Sequence, residues 1–210
     1  MEPSYADIAL LDCGSRLDPC RVPDMLELAG EARRQKIAAQ KTDQDRRLSL
    51  GAGLLARLLL LRRGIALDSL VFDPDGRPTV PGAFLSLSHG GRYTMAGLSS
   101  NPIGVDVEPH QPERLNIADH FFTEEERRQM DGSPDRVARF FQIWSRKECL
   151  IKRDGLQDLR ELHTELPEYG EWFHDIPLTG YSCTSCVGRE ITPRVEILDW
   201  EQLMGRLKNL

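Results

Sequence analysis

The sequence predicts an α+β fold built from two similar α/β lobes, on three observations. Two long apolar helices, Asp45 to Gly64 and Asp135 to Gly155, are each stopped by a glycine. Each is followed later by a glycine and a strand, Gly91 to Leu98 and Gly180 to Val187. The 210 residues suffice for one large domain or two small ones packed together.

The elements follow in order. Val22 to Gln40 reads as helical, with acids early and bases late to match the helix dipole. A second helix begins near Asp43 or Asp45 and runs to Arg63. Leu67 to Phe72 is a strand candidate, and Asp73-Pro-Asp-Gly76 has turn composition. Phe84 to Ser88 alternates, Gly90-Gly91 turns the chain, and Tyr93 to Leu98 returns, which predicts a hairpin. Ser99-Ser-Asn-Pro102 is polar and turn-rich and divides the chain into 1–101 and 102–210. Ile103 to Glu108 is a short strand. Thr123 before three glutamates reads as an N-cap with an acidic first turn. Arg136 to Arg153 is a long helix, Tyr181 to Val187 and Arg194 to Leu198 are strands, and Glu201 to Lys208 is a closing helix.

Composition excludes several classes. With 27 basic and 33 acidic residues the net charge is −6, which argues against a general nucleic-acid binder. The N-terminus has no basic stretch followed by an apolar one, so no signal peptide is expected. The most apolar run, Leu48 to Leu61, is interrupted by Arg57 and too short for a bilayer, so a buried helix and no membrane partner are expected. Five widely spaced cysteines do not suggest a disulfide framework, and a cytoplasmic location follows. Cys183-Thr-Ser-Cys186 has the spacing of a redox pair or half a zinc site, but lacks a second pair or a histidine partner. Structural cysteines on a strand are expected.

Three patterns carry chemistry. In Ile103-Gly-Val-Asp-Val-Glu108 a strand puts Asp106 and Glu108 on one face and Ile103, Val105 and Val107 on the other. Two adjacent carboxylates need a cation, a basic partner or open water. Mg²⁺ suits them, because it takes oxygen ligands and keeps waters. Two solvated acids on an edge strand fit the hexapeptide equally well. On the helix Phe140 to Lys152, residues four apart align Trp144, Glu148 and Lys152. That alignment is either an ordinary helix salt bridge or a metal ligand beside a phosphate-binding ammonium. At the hairpin, Ser88, His89, two glycines and Arg92 offer donors suited to an anion.

In order and spacing, these pieces resemble the 4′-phosphopantetheinyl transferases, in particular the monomeric surfactin-synthetase-activating type. The matching residues are Gly76-Arg77-Pro78, Leu87-Ser88-His89, Ile103 to Glu108, Phe121-Phe122-Thr123 with Glu126, and Trp144 to Glu148 with Lys152. The resemblance covers about Arg46 to Gly155. With the chain length, it implies a monomer whose lobes pack as a pseudo-dimer, each with a small antiparallel sheet and a long helix. The N-terminal lobe would meet the nucleotide of coenzyme A, and the C-terminal lobe would carry metal and catalytic residues. Asp106, Glu108 and Glu148 are implied as Mg²⁺ ligands. Ser88 and His89 are implied as contacts to coenzyme A phosphates, Arg77 as a nucleotide contact, and Arg46 rather than Arg47 as a 3′-phosphate contact. Lys152 would steady the diphosphate, and Glu126 or Glu148 would be the general base. The partner implied is an acyl or peptidyl carrier protein. Carrier proteins are typically acidic, and Arg127, Arg128, Arg136, Arg139, Arg146 and Lys147 would supply a basic docking surface.

The sequence departs from the family twice. Leu156, Gln157 and Asp158 follow Gly155 where a second glycine is usual, and Gly90 stands where serine is common. Two rivals remain: another metal-dependent phosphoryl enzyme such as a nuclease, and a non-catalytic scaffold binding coenzyme A or carrier protein.

Overall fold

The computed structural model describes residues 4–74, 76–156, 172–188 and 190–210. The chain runs β1 (Ala6–Asp12), α1 (Val22–Leu28), α2 (Glu31–Ala38), α3 (Asp43–Arg62), β2 (Val71–Phe72), β3 (Pro78–Thr79), β4 (Phe84–Gly90) and β5 (Tyr93–Ser99). It continues with β6 (Ile103–Pro109), α4 (Ala118–Phe121), α5 (Glu124–Asp131), α6 (Arg136–Asp154), β7 (Trp172–Asp175), β8 (Tyr181–Val187), β9 (Arg194–Leu198) and α7 (Trp200–Lys208).

Local chemistry sets most helix ends. The Thr42 hydroxyl accepts the Asp45 N–H at 3.0 Å to start α3. Thr123 and Glu126 form a reciprocal capping box on α5. The Asp135 carboxylate accepts the Ala138 N–H at 2.9 Å to start α6, and Gly155 ends that helix at φ 79°. Two expectations are corrected. The helix expected over Val22 to Gln40 is two helices, broken at Ala29-Gly30, where Gly30 has φ 83°. Of Leu67 to Phe72, only Val71 and Phe72 form a strand. Leu67 to Ser69 is a 3-10 turn, closed by the Ser69 hydroxyl donating to the Ala66 carbonyl at 2.6 Å.

Four layers result. A four-stranded sheet in the order β4-β5-β1-β9 lies against a three-stranded sheet, β6-β8-β7. The outer face of the first sheet packs Leu11, Ala96 and Leu98 on Leu54 and Leu58 of α3 and Trp200 of α7. Its inner face packs Ile8, Leu10 and Met95 on Val105, Val107 and Cys183 of the second sheet. Each fully buried leucine contributes roughly 1.5–3 kcal/mol. The second sheet carries α6 on its other side. There a Cβ added to Gly104 would stand 1.8 Å from the Cys149 carbonyl oxygen, so glycine is what lets the helix lie on the strand.

The expected small antiparallel sheet holds for the second layer, where both strand pairs are antiparallel. The first sheet is mixed, because β9 runs parallel to β1 from Asp7↔Arg194 to Leu11↔Leu198. The last strand and helix, although beyond residue 102, therefore pack with the N-terminal half. Among the described residues no helix is long and apolar enough to cross a membrane. The five cysteines are free thiols. Three residues apart on a strand, Cys183 and Cys186 point to opposite faces. Cys183 meets Met95 between the sheets, and Cys186 packs with Cys149 under α6.

Candidate active site

The β4–β5 hairpin brings β4 alongside β6 across the gap between the sheets. The Ser86 hydroxyl accepts the Val105 N–H at 3.1 Å, and the Ser88 hydroxyl accepts the Val107 N–H at 3.4 Å. The approach is close: a Cβ on Gly90 would lie 2.2 Å from the Val107 carbonyl oxygen. Glycine at this position is what allows so close an approach.

Asp106 sits at this seam. It is 2% exposed, which removes the solvated-edge interpretation. Its Oδ1 accepts from Ser88 Oγ at 2.9 Å and from Lys152 Nζ at 2.7 Å, and Lys152 also donates to Ser88 at 3.0 Å. Its Oδ2 is buried and has no hydrogen-bond partner. A buried, unpartnered carboxylate oxygen costs about 1–3 kcal/mol or more, so the arrangement is poised for a cation.

The other two acids feel this charge. Burial, and then the Asp106 carboxylate, push Glu108 up to about 7, although Arg114 donates to its Oε2 at 3.2 Å. Burial also raises Glu148, opposed by Lys152 and reinforced by Asp106. Burial works against the Lys152 ammonium, but Asp106 and Glu148 outweigh it and hold Lys152 above its ordinary value. Three acids in one field with an orphaned buried oxygen form a donor set that fits a hard cation. Among the described residues no three acids, histidines or cysteines already converge as a cage.

Lys152 of this cluster also lines a cavity of about 590 Å³, together with His89, Arg33, Lys36 and Phe72. Burial, and then Lys152 and Arg33, hold the His89 imidazole below its ordinary value. It is therefore neutral at pH 7 and can still donate one hydrogen bond. Arg33 is buried and donates to the Ser49 carbonyl at 2.8 Å, and burial lowers it to about 10. Lys36 lies 5.4 Å from the Phe72 ring centroid. An aromatic ring beside two cations suits a nucleotide, with a base to stack and phosphates to pair.

The structure thus gathers Ser88, His89, Asp106, Glu108, Glu148 and Lys152. Other expected residues lie differently. Arg46 is paired with Asp43 at 2.8 Å on the exposed start of α3 and does not line the cavity. Arg77 does line it, but its Nη2 also donates to the Leu156 carbonyl at 2.6 Å, capping the end of α6. Gln157 and Asp158 of the altered loop lie outside the described residues. Glu126 is buried 2.9 Å from the Lys147 ammonium and closes the α5 cap, so it is built into the frame. Lys147 is correspondingly 0% exposed and leaves the expected basic surface. Most of that surface is also neutralised: Arg128 pairs with Glu125, Arg136 with Asp131 and Arg146 with Asp175.

Sequence reasoning missed Arg33, Lys36 and Arg114. The first two stand three apart on a helix and so share a face, which was the available signal. Arg114 answers the need of Glu108 for a basic partner, and it also lies 5.6 Å from the Trp144 ring centroid.

Known proteins resemble this chain in sequence. Residues 102–174 match the model of the 4′-phosphopantetheinyl transferase superfamily. The chain is 28% identical to the 4′-phosphopantetheinyl transferase psf-1 of Bacillus pumilus, over 79% of this chain and 81% of that protein. It is 35% identical to the transferase Sfp of Bacillus subtilis strain 168, over 37% of this chain and 36% of that protein. It is 33% identical to the transferase AcpT of Salmonella typhi, over 57% and 65% respectively.

Proposed function

As an enzyme of the 4′-phosphopantetheinyl transferase class, this chain, we propose, moves the 4′-phosphopantetheine arm of coenzyme A onto a serine of an acyl or peptidyl carrier protein and releases 3′,5′-ADP. The observation that carries the proposal is the buried Asp106 carboxylate. It is held by Ser88 and Lys152 with one oxygen unpartnered, and the same Lys152 lines the cavity of about 590 Å³.

Asp106, Glu108 and Glu148 would hold a magnesium ion, which when bound neutralises charge on the diphosphate. The other roles belong to the chain. Arg33 and Lys36 bind the phosphate end of the nucleotide, with Phe72 against the base. Lys152 and the neutral His89 hold the diphosphate, and the Lys152 ammonium offsets charge that grows on the transferring phosphoryl group. Ser88 positions Lys152 and Asp106 together rather than binding phosphate with a free hydroxyl. Glu148 is the better base, because its raised affinity for a proton suits acceptance from a serine hydroxyl. Glu126 is engaged by Lys147 and the Thr123 cap.

The two helix-on-sheet halves are read as similar lobes of one pseudo-doubled monomer. A cytoplasmic location without nucleic-acid or membrane partners goes with the acidic charge and the free thiols. The test is mass spectrometry of apo-carrier protein incubated with the chain, coenzyme A and Mg²⁺. A gain of one phosphopantetheine is expected, and Asp106→Ala abolishes it. Binding of coenzyme A without any gain would make the chain a scaffold.

A further inference from the structure

A second charged cavity lies at the opposite edge of the first sheet. It has a volume of about 430 Å³, and its walls carry Arg62, Arg63, Arg194, Arg206, Asp7, Asn209 and Leu210. The order β4-β5-β1-β9 puts it three strands from β4 and the catalytic seam. We propose that this cleft binds a small multivalent oxyanion of the phosphate or diphosphate class, separately from coenzyme A.

The charge count points this way. Four guanidiniums face three carboxylates, those of Asp7 and Glu196 and the terminal one of Leu210, in a protein whose net charge is −6. Arg62 pairs with Glu196, and Arg63 pairs with Asp7. Arg206 approaches Glu196 only at 3.9 Å, and Arg194 is in no ion pair among the described residues. Positive charge is therefore left in excess around one cavity.

The geometry points the same way. Arg62 is only 14% exposed, and its partner Glu196 is 16% exposed. Arg63 is clamped between Asp7 and the Tyr5 ring, 3.8 Å from the ring centroid. Two of the four forks are thus fixed before any ligand arrives, which lowers the ordering cost of binding. Arg194 stands opposite Asp7 in the β1–β9 register and is exposed, and Arg206 is 60% exposed, so both are free to close on a ligand. Planar guanidinium forks match phosphate oxygens two at a time. The cavity is too small for a macromolecule and large enough for a diphosphate.

Inorganic pyrophosphate is the probe, followed by isothermal titration calorimetry. The catalytic cavity also accepts phosphates, so three proteins are compared: wild type, Lys152→Ala, and Arg194→Glu with Arg206→Glu. Wild type is expected to show two binding events. Lys152→Ala keeps the event in the arginine cleft. The double variant loses that event or weakens it by about tenfold or more, while carrier transfer stays unchanged. Binding in the cleft also weakens as salt rises. If the double variant proves unfolded by circular dichroism, exposed Arg194→Ala alone takes its place. Identical isotherms for wild type and the arginine variant, or loss of all binding in Lys152→Ala, would overturn the proposal. Because transfer activity is assayed separately, failure of this site is distinguishable from failure of the enzymatic assignment.

Discussion

The Glu126–Lys147 pair separates a structural glutamate from a catalytic one. The ammonium and the carboxylate are 2.9 Å apart and 0% and 3% exposed, between α5 and α6. Changing Lys147→Met keeps the volume but leaves Glu126 as a buried charge without that cation. Breaking one side of such a pair costs about 3–5 kcal/mol. In a protein of this size each kcal/mol moves Tm by roughly 2–4 °C, so the melting point should fall by roughly 6–20 °C. Glu126→Gln should cost a similar amount, because it removes the carboxylate that faces the buried ammonium. The double change removes both charges, and replacing a buried pair by neutral groups is often neutral or stabilising. Thermal melts and phosphopantetheine transfer below the lowest Tm are the assays. The double variant should recover most of the lost stability and with it the transfer rate. A double variant that is fully folded but inactive would show that Glu126 acts in the chemistry, and the structural assignment would fail. Single variants melting within about 2 °C of wild type would refute the energetic argument instead.

The remaining predictions concern the seam and the cavity. Glu108 binds its proton more tightly when folded, at about 7 against an ordinary 4.5. Its contribution to stability is therefore full at low pH and is lost as pH rises from about 4.5 to about 7. Without added metal, Tm should drift down over that window, Mg²⁺ should restore more Tm at pH 7.5 than at pH 5.5, and Glu108→Gln should flatten the drift. A metal-induced rise that is the same at both pH values would count against Glu108 as a ligand. Gly90→Ser should destabilise by about 1–3 kcal/mol, because its Cβ meets the Val107 carbonyl, and denaturant melts would show this. Arg33→Ala with Lys36→Ala should raise KM for coenzyme A about tenfold or more with little change in kcat, as expected for contacts remote from the reacting phosphorus. A fall in kcat alone would place them wrongly.

Much was legible where the determining interaction is local. Thr123, three residues before Glu126, marks the start of α5, because an N-cap satisfies its own first turn. Alternation along Ile103 to Glu108 put Asp106 and Glu108 on one face, and helical spacing put Glu148 one turn before Lys152. Both periodicities are properties of the backbone. The sequence could not tell a solvated edge acid from a buried one, because that depends on what covers the strand. The tertiary structure answers with α6, admitted by Gly104, and with Ser88 reaching across from β4.

Lys147 shows the limit most plainly. A lysine in a run of charged residues reads as surface, and the approach of Glu126, twenty-one residues earlier, helps make its burial tolerable. Arg77 capping α6 from across the chain, Arg33 and Lys36 turned toward one cavity, and β9 returning beside β1 are of the same kind. The sequence by itself determined the periodicities, the caps and the inventory of acids and bases. Which charges meet which was decided only when the layers packed. Hydrogen-bond and ion-pair partners are selected by proximity in space, and local pattern carries no record of that.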